Sequence, residues 1–505
     1  MSEYILEMVN ITKEFPGVKA LDNVTLRVKK GEIHALVGEN GAGKSTLMKV
    51  LSGVYPAGTY SGEIRLKGVV QHFHSIKDSE RAGIAIIYQE LALVKQMNVA
   101  ENIFLGCEIK KRGFINWDET FFETEKILKE VRLNINPLTK VVNLGIGQQQ
   151  LVEIAKALSK NADVLILDEP SAALTEAETE TLLQILKELK SKGVTCIYIS
   201  HKLNEVFRIS DSITVLRDGR TVCTQATKDL DENRVISFMV GRELTQRFPR
   251  EKHIPGEVVL EVKDWTVYSP ELPDKKVIDG VSFSARKGEI LGIAGLMGAG
   301  RTELVMSMFS AYGVNISGEI KLNGRKLKIR SPRDAIEAGI SYVSEDRKRY
   351  GLVLKQDIKN NITLASLESV SRAGLINDNE VIRISRKYVD DLRIKTPSIE
   401  QKTGNLSGGN QQKVVLAKWL MTKPKVLILD EPTRGIDVGA KFEIYNIMNR
   451  LVAEGVCIIM ISSELPEILG MSDRILVMHN GRIKGELSHG EATQEKVMFY
   501  ATGGI

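Results

Sequence analysis

The chain has 505 residues, of which 43% are hydrophobic, so its length permits several domains and its composition supports a sizeable core in each. Lysine and arginine (69) exceed aspartate and glutamate (64) by a formal charge of +5, and without a long basic block this excess does not suggest a nucleic-acid partner. No apolar run approaches the roughly 18 residues of a membrane span, and residues 1–7 lack the basic-then-apolar order of a secretion signal, so we expect neither a membrane-spanning nor a secreted chain.

The cysteines are scattered along the chain without paired spacing. This pattern argues against a disulfide framework or a zinc site and favours a reducing compartment. The simplest interpretation is that all of them are small buried side chains. They are Cys107, Cys196, Cys223 and Cys457.

A phosphate-binding pattern is the first strong motif in chain order. Residues 38–45 fit G-x-x-x-x-G-K-[ST], follow the apolar strand predicted at 33–37 and precede a helical run at 46–51, which are the neighbours that this motif requires. Its glycines let successive backbone N–H groups face a phosphate chain at a helix N-terminus, where Lys44 reaches the outer phosphates and Ser45 can bind magnesium. The alternative, a glycine-rich turn without a ligand, does not account for the flanking strand and helix.

Two adjacent carboxylates end a later strand. Residues 164–168 form an apolar run that ends at Asp168, and Glu169 follows directly. Asp168 can hold the magnesium shell while Glu169 polarises the attacking water. A buried strand with a polar end would explain either carboxylate alone, but it does not explain why the whole element recurs at residues 426–432.

The recurrence involves both halves of the chain. Gly38 and Gly295 lie 257 positions apart (295 − 38), and Asp168 and Asp430 lie 262 positions apart (430 − 168). The two copies therefore align with only small insertions, as expected for an internal repeat.

Two domains are predicted from this repeat, at residues 1–241 and 257–505. Residues 242–256 between them are a short polar stretch with two prolines, which is typical of a linker. Each half alternates apolar strands with helical runs, which predicts an α/β domain built on a mostly parallel sheet with helices on its faces.

A family signature stands upstream of the second carboxylate strand. Residues 405–412 contain L-S-G-G-x-Q and precede an apolar helical run at 414–421. This segment resembles the signature sequence of the ATP-binding cassette (ABC) proteins, which are P-loop ATPases. The resemblance implies two tandem ABC ATPase domains, each with a RecA-like, mostly parallel sheet core, an antiparallel β subdomain and a helical subdomain.

The family resemblance also implies how a site is completed. In that family two cassettes face each other, and each ATP lies between the phosphate loop of one and the signature of the other. Ser407 would then supply a hydroxyl, at a helix N-terminus freed by glycines, to the ATP that Lys44 holds. Gln89 matches the family glutamine that senses magnesium and water and links to the membrane partner, His201 matches the histidine that contacts the terminal phosphate, and Phe15 stands where the family stacks an aromatic ring on adenine.

These motifs and matches together define the expected site, with ATP and Mg²⁺ as its cofactors. The residues expected to act in catalysis are Glu169, His201 and Gln89. The residues expected to bind ATP are Phe15, Gly38, Glu39, Asn40, Gly41, Ala42, Gly43, Lys44, Ser45, Thr46, Ser407, Gly408 and Gly409. The residues expected to bind magnesium are Ser45, Gln89 and Asp168.

The two halves differ in chemical competence. Arg301 is a poor substitute for a lysine in such a loop, because a planar guanidinium needs space and a fork geometry where a compact ammonium fits. We expect the second site to hold nucleotide yet hydrolyse it slowly, although Asp430 and Glu431 survive there; a second half that merely lost function by drift is the alternative. The altered positions are Arg301 for Lys44, Glu345 for Gln89, Ser463 for His201, and Gly145 in the place of the signature serine.

The motifs of the second half indicate a particular group within the ABC family. Residues 295–303, 342–347, 406–412 and 430–437 together resemble the fused ATP-binding subunits of bacterial monosaccharide importers. Residues 54–63 and 89–94 are most similar to those of D-xylose importers, so D-xylose is the expected sugar, with ribose, galactose or arabinose as alternatives.

Membership of that group implies specific partners and a place in the cell. The implied partners are an integral membrane sugar permease, in two copies, and an extracytoplasmic sugar-binding protein. No nucleic-acid partner is expected. This chain would be peripheral, on the cytoplasmic face of the membrane. Residues 89–145 would form the helical subdomain that docks the permease, with residues 89–94 and 103–105 as candidate contacts.

Two other classes of protein compete with the importer. A soluble double cassette acting on ribosomes or DNA usually has two intact sites and a long charged connector, whereas this connector is short and the second site is eroded. A module that binds ATP without hydrolysing it is disfavoured by the presence of Glu169 and His201.

Overall fold

The computed structural model describes residues 3–504 except 17, 89–90, 161, 172–173, 201 and 242–247. The chain divides into two compact units, Met1–Thr245 and Gln246–Ile505. The predicted linker begins within the residues that are not described, so the proposed domain limits of 241 and 257 stay predictions.

The first unit contains two sheets and a set of helices. Its strands are β1 Tyr4–Phe15, β2 Val18–Lys29, β3 Ile33–Val37, β4 Ser61–Leu66, β5 Val69–Gln71, β6 Ile84–Ile87, β7 Lys110–Lys111, β8 Phe114–Ile115, β9 Val164–Asp168, β10 Thr195–Ile199, β11 Ser212–Arg217 and β12 Arg220–Ala226. Its helices are α1 Lys44–Leu51, α2 Ile76–Arg81, α3 Val99–Ile103, α4 Trp117–Glu130, α5 Ile146–Leu158, α6 Glu176–Ser191, α7 Leu203–Ile209 and α8 Glu232–Val240.

The larger sheet of the first unit has the strand order β12-β11-β3-β10-β9-β6. All its neighbours pair in parallel except the edge strand β12. β3 and β10 are buried at every residue, because helices or the second sheet cover both of their faces. Since β10 alone separates β3 from β9, the loop that follows β3 and the carboxylates that end β9 lie at the same edge of the sheet.

The second sheet of this unit is antiparallel, with the order β2-β1-β4-β5. Its alternate residues face inward and share one hydrophobic core with the larger sheet: Leu6 and Leu26 pack in the same cluster as Ile166 and Ile197. Helices α3, α4 and α5, inserted between β6 and β9, pack on one another as the predicted helical subdomain.

The second unit repeats this architecture. Its strands are β13 Val258–Tyr268, β14 Lys276–Arg286, β15 Ile290–Gly295, β16 Val314–Leu322, β17 Arg325–Lys326, β18 Ile340–Val343, β19 Ser371–Arg372, β20 Leu375–Ile376, β21 Val426–Asp430, β22 Cys457–Ile461, β23 Arg474–His479 and β24 Arg482–Ser488. Its helices are α9 Arg301–Met308, α10 Pro332–Ala338, α11 Ile358–Thr363, α12 Asp378–Asp391, α13 Gly408–Leu420, α14 Val438–Ala453, α15 Leu465–Met471 and α16 Gln494–Ala501. A π-helical turn spans Arg347–Gly351.

The sheets of the second unit have the orders β18-β21-β22-β15-β23-β24 and β14-β13-β16-β17. The period of two along β21 places Leu427 and Leu429 in the core beneath the helices, and Val426 and Ile428 in the core shared with the antiparallel sheet. The predicted fold, a mostly parallel sheet with an antiparallel sheet and a helical subdomain, is thus confirmed in each unit.

Two expectations about whole-chain features can now be compared with the structure. Among the described residues, none of the helices combines the length and the apolar character that crossing a membrane requires. The expectation of uniformly buried cysteines is wrong: Cys196 and Cys457 are buried inside strands, whereas Cys107 is exposed and Cys223 is half-buried on the edge strand β12.

Candidate functional site

The glycines of the first phosphate loop are required by its backbone and its packing. Gly41 and Gly43 have φ angles of 86° and 99°, in the left-handed region that favours glycine. A Cβ on Gly43 would lie 2.7 Å from Leu21 Cδ2, and one on Gly38 would lie 2.4 Å from the Leu216 carbonyl oxygen. The loop therefore bends tightly against the sheet edge and directs its chain into the N-terminus of α1.

Lys44 closes this loop from inside. Its buried ammonium group donates hydrogen bonds to the carbonyl oxygens of Gly38 at 2.7 Å and Glu39 at 3.0 Å. These two carbonyl oxygens hold the Lys44 ammonium within the phosphate loop. The phosphates of a bound nucleotide would offer stronger, charged acceptors at the same place. Asn40, Gly41 and Ser45 are the exposed members of the loop.

Ser45 and Asp168 form the expected magnesium position. The Ser45 hydroxyl donates to the Asp168 carboxylate at 3.5 Å, which brings the phosphate loop and the end of β9 together. Burial, and after it the charge of Glu169, raises the pKa of Asp168, so a cation there would favour its ionised form. Two protein oxygens fit Mg²⁺, which usually keeps few protein ligands beside phosphate and water oxygens. No group of three or more His, Cys, Asp or Glu ligands exists among the described residues.

Glu169 sits at a strained backbone position. Its φ is 49°, which is uncommon outside glycine, and its N–H donates to the Ile199 carbonyl oxygen at 2.9 Å. Glu431 repeats both features, with φ of 50° and an N–H bond to the Ile461 carbonyl oxygen at 2.9 Å. In both halves the strand therefore ends in the same tight turn, which carries the second carboxylate.

Phe15 is exposed at the end of β1, as expected for a ring that would stack on adenine, with 36% of its surface accessible. Its edge-on neighbour is Tyr55, with ring centroids 5.4 Å apart, and the Lys13 ammonium lies 5.2 Å from the Phe15 ring. The assignment of Phe15 to adenine stays a prediction.

Gln89 and His201 lie outside the described residues, so their predicted roles stay predictions. The candidate permease contacts at 103–105 are partly wrong, because Ile103 and Phe104 are buried in the helical subdomain. Leu105 and Val94 are exposed and stay candidates.

The second phosphate loop has the same backbone but a different side-chain arrangement. Gly298 and Gly300 have φ angles of 79° and 97°, like their counterparts. Arg301, however, donates to the Ser462 carbonyl oxygen at 2.8 Å, beyond the end of β22. The cation of this loop thus bonds to the residue that follows a neighbouring strand.

Asp430 keeps its place in the second half. Thr302 donates to it at 3.3 Å, as Ser45 does to Asp168. The hydroxyl of Tyr342 also donates to Asp430, at 3.0 Å, and Asp430 is completely buried. Burial raises the pKa of Asp430.

Ser463, in the place of the expected switch histidine, contacts the second carboxylate. Its hydroxyl donates to Glu431 at 3.1 Å. Burial raises the pKa of Glu431 to about 7, although this hydrogen bond and the charge of Arg301 oppose the shift. Hydrogen bonds from Ser463 to Glu431 and from Thr302 and Tyr342 to Asp430 therefore hold both carboxylates of the second half.

Replacing Glu431 with glutamine is expected to stabilise the chain more in weakly basic than in weakly acidic solution. The pKa in the folded chain, about 7, lies above the ordinary 4.5. As pH rises from about 4.5 to about 7, the carboxyl of the unfolded chain loses its proton while that of the folded chain keeps it. Glu431 therefore lowers the free energy of unfolding progressively over this range, and its full effect is reached above about pH 7. Calorimetry of both chains across this range measures the difference in Tm between them as a function of pH. A difference that does not change with pH would contradict the prediction.

The signature helix α13 is packed too closely for side chains at its start. Ser407 is the exposed N-cap residue, and its hydroxyl accepts a hydrogen bond from the Asn410 side chain at 3.0 Å. A Cβ on Gly409 would lie 2.6 Å from the Ala440 Cβ on α14, and one on Gly408 would lie 3.0 Å from the Gly435 carbonyl oxygen. The glycines thus let the helix start lie directly on its neighbours while Ser407 faces outward.

The altered signature of the first half begins helix α5 without a hydroxyl. Gly145 is the N-cap residue, and its N–H donates to the Gln148 side chain at 3.1 Å. A Cβ on Gly147 would overlap the carboxylate of Glu178 on α6. The second glycine is therefore retained for packing, while the position of the serine has lost its polar side chain.

Sequence reasoning missed the groups that surround the second half's motifs. Tyr342 lies inside an apolar strand, where nothing marks its hydroxyl as a partner of Asp430. Arg434 pairs with Glu345, and Arg347 donates to the carbonyl oxygens of Arg434 and Gly435. The sequence offered one signal for this network, the charged run at 345–349, which gave no indication of its partners.

The sequence comparisons decide the family. The family profile described as "ABC transporter" matches residues 21–172 and 278–434, one match in each half. The chain belongs to the ABC transporter family. Its two units are therefore ABC ATPase cassettes, as the repeated phosphate loop, carboxylate strand and signature predicted.

Several curated relatives align over nearly their full length. The Xylose import ATP-binding protein XylG of Thermoanaerobacter pseudethanolicus is 69% identical over 504 residues, covering 100% of both chains. The L-arabinose transport ATP-binding protein AraG of Geobacillus stearothermophilus is 59% identical and covers 99% of this chain and 98% of its own. Among solved structures, a nucleotide-free ATP-binding cassette from an ABC transporter is 28% identical, with a TM-score of 0.41, and covers 47% of this chain and 100% of its own.

Proposed function

We propose that this chain is the ATP-hydrolysing subunit that drives import of a monosaccharide, D-xylose first of all, through a membrane permease. The observation that carries the proposal is the 69% identity, over the whole chain, with a relative named for xylose import. A second relative so named, from Moorella thermoacetica, is 64% identical over 100% of both chains. Because the 59% identical relative is named for L-arabinose, arabinose is the first alternative sugar, before ribose and galactose.

The first half supplies the triphosphate-binding groups. Lys44 would exchange its two carbonyl acceptors for phosphate oxygens, and Ser45 with Asp168 would hold Mg²⁺ together with Gln89. When bound, Mg²⁺ supplies charge neutralisation on the phosphates. Phe15 would receive the adenine ring on its exposed face.

Hydrolysis needs a group that orients and deprotonates water. Glu169 stands beyond the end of β9, beside Asp168, where an attacking water would approach the terminal phosphate. His201 would contact the terminal phosphate from the loop after β10. The signature residues Ser407, Gly408 and Gly409 of a second half would complete the site, since the helix N-terminus that the exposed Ser407 caps suits an anion.

The partners follow from the importer assignment. A sugar permease, in two copies, would bind the helical subdomain, and an extracytoplasmic protein would deliver the sugar. This places the chain on the cytoplasmic face of the membrane. The relatives reported above are named for sugar import or transport, which favours the importer over a double cassette acting on ribosomes or DNA.

Reconstitution tests this function. The chain would be incorporated with a candidate sugar permease of the same genome into vesicles, and phosphate release would be measured with sugar-binding protein loaded with D-xylose, L-arabinose, ribose or galactose. We expect magnesium-dependent release that D-xylose stimulates most. Stimulation by ribosomes or DNA instead of by a sugar-loaded binding protein would refute the assignment, and a stronger response to L-arabinose would change only the sugar.

A further inference from the structure

A single arginine joins three separate segments beneath the signature helix. Arg347 begins the π-helical turn after β18 and is half-buried. Its Nη1 donates to the Arg434 carbonyl oxygen at 2.8 Å, its Nη2 to the Gly435 carbonyl oxygen at 3.2 Å, and its Nε lies 3.4 Å from the Gln411 side-chain oxygen. One planar group therefore contacts both the loop after the carboxylate strand and the first turn of α13.

The start of α13 lies directly on this guanidinium. A Cβ on Gly408 would lie 2.7 Å from Arg347 Nη2 and 3.0 Å from the Gly435 carbonyl oxygen, so a side chain there would displace the guanidinium from its present place. Gln411, one turn into the helix, is buried and donates to the Thr403 carbonyl oxygen at 3.1 Å, which fixes the turn that enters the signature. The position and direction of the helix N-terminus thus depend on the contacts of Gly408 with Arg347 and of Gln411 with Thr403.

The turn that carries Arg347 is itself fixed. Asp346 accepts hydrogen bonds from the backbone N–H groups of Lys348 and Arg349, each at 3.0 Å. At the other end of the turn, the Gly351 carbonyl oxygen accepts from the buried Lys418 ammonium, on α13, at 2.6 Å. The arginine therefore acts from a rigid base and not from a loose loop.

Burial of this cation needs compensation. Desolvation lowers the pKa of Arg347, which means that the protein stabilises its charged form less than water does. The two carbonyl oxygens and the Gln411 oxygen offset part of that cost. A planar guanidinium suits this position, because its rigid fork of donors holds several acceptors at fixed relative positions.

The counterpart in the first half lacks the arginine. Glu345 and Gln89 correspond with an offset of 256 (345 − 89), so position 347 corresponds to Leu91 (347 − 256). That half also lacks the signature serine, since Gly145 stands in its place. Arginine and serine thus occur together in one half and are both missing from the other.

We infer that Arg347 is the positioning residue that holds the N-terminus of the signature helix, and with it Ser407, in the orientation that ATP hydrolysis at the Lys44 site requires. This inference rests on the proposed function, in which Ser407 completes that site. Arg347 itself touches no reacting atom. It acts through Gly408, Gln411 and the carbonyl oxygens of the loop after β21.

The test compares Arg347→Met, Arg347→Lys and the matched control Arg349→Met, an exposed arginine of the same turn whose guanidinium lies on the Tyr350 ring. In the reconstituted complex, Arg347→Met is expected to lower kcat about 10- to 100-fold, because the charge-assisted hydrogen bonds that hold the start of the signature helix are lost. The KM for MgATP should change less than about threefold, since Lys44 still binds the phosphates. Arg347→Lys should give an intermediate kcat, because an ammonium keeps the charge but lacks the planar fork that reaches the two carbonyl oxygens and Gln411 at fixed relative positions.

Hydrogen–deuterium exchange of the full chain without nucleotide supplies the readout that does not depend on activity. Residues 404–412 are expected to exchange about tenfold faster in Arg347→Met and unchanged in Arg349→Met. Wild-type kcat or wild-type exchange in Arg347→Met would overturn the inference. A wild-type complex without ATPase activity would refute the proposed function, and the exchange measurement would then decide the role of Arg347 alone. If Arg347→Met does not fold, Arg347→Lys is judged by the same two measurements.

Discussion

Replacing Glu169 with glutamine is expected to stop ATP turnover while the chain continues to bind nucleotide. Glutamine has nearly the same shape but cannot accept the proton of the attacking water, and a positioned general base contributes about 10²- to 10⁴-fold. The loss of kcat should therefore be at least about 100-fold. Phosphate release by the reconstituted complex and equilibrium binding of a fluorescent ATP analogue measure the two properties separately.

Glu431→Gln is the matched control for this change. Glu431 occupies the same strained turn, with φ of 50° against 49°, and its N–H makes the same hydrogen bond to the end of the next strand along the chain. It differs in its surroundings, because Ser463 bonds to it and burial raises its pKa to about 7. Turnover in Glu431→Gln is expected to stay within about twofold of wild type, because the second site contributes little transition-state stabilisation. Equal losses from the two substitutions would refute the asymmetry of the sites.

Replacing Lys44 with alanine is expected to weaken ATP binding and to abolish turnover together. The ammonium is held at the centre of the loop by two carbonyl oxygens at 2.7 and 3.0 Å, where a phosphate chain would pass. Removing charge-assisted bonds to phosphate weakens binding by about 10- to 100-fold, and the missing charge in the transition state lowers kcat by at least another factor of about 100. Thermal shift in the presence of MgATP measures the first effect, because a ligand that binds the folded state stabilises it by an amount that grows with the logarithm of its concentration relative to Kd.

Arg301→Ala tests the same position in the other half. Arg301 bonds to the Ser462 carbonyl oxygen at 2.8 Å, so its loss removes a hydrogen bond just beyond the end of β22 and a positive charge that acts on Asp430 and Glu431. The expected result is turnover within about twofold of wild type, with at most a small loss of stability of about 1 kcal/mol from the hydrogen bond. A loss of turnover comparable with that of Lys44→Ala would show that the second site works in the cycle.

The fold was predictable because its signals are local. The phosphate loop, the apolar strand with terminal carboxylates and the signature each occupy one short segment, and each occurs beside the strand or helix that the motif requires. The period of two in strands such as β21 follows from the same local pattern. Family membership followed from the joint order of these motifs along the chain.

The surroundings of the site were less predictable. Ile103 and Phe104 resemble surface candidates in sequence, yet both are buried, because exposure depends on which helix packs against them. The buried-cysteine expectation failed at Cys107 for the same reason. Gln89 and His201 lie outside the described residues, and their roles rest on the family resemblance.

The sequence by itself determined that two cassettes are joined in one chain and that one phosphate loop has an arginine where the other has a lysine. Only the tertiary structure decided where that arginine bonds, since its partner Ser462 is 161 positions away, and what lies beneath the signature, since Arg347 meets residues 87 and 88 positions further on. The pKa of Glu431 likewise depends on burial by distant elements. A motif is formed by residues that are neighbours along the chain, so the sequence shows its chemistry. The direction of a side chain, its burial and its pKa depend on contacts between distant segments, which no local pattern encodes.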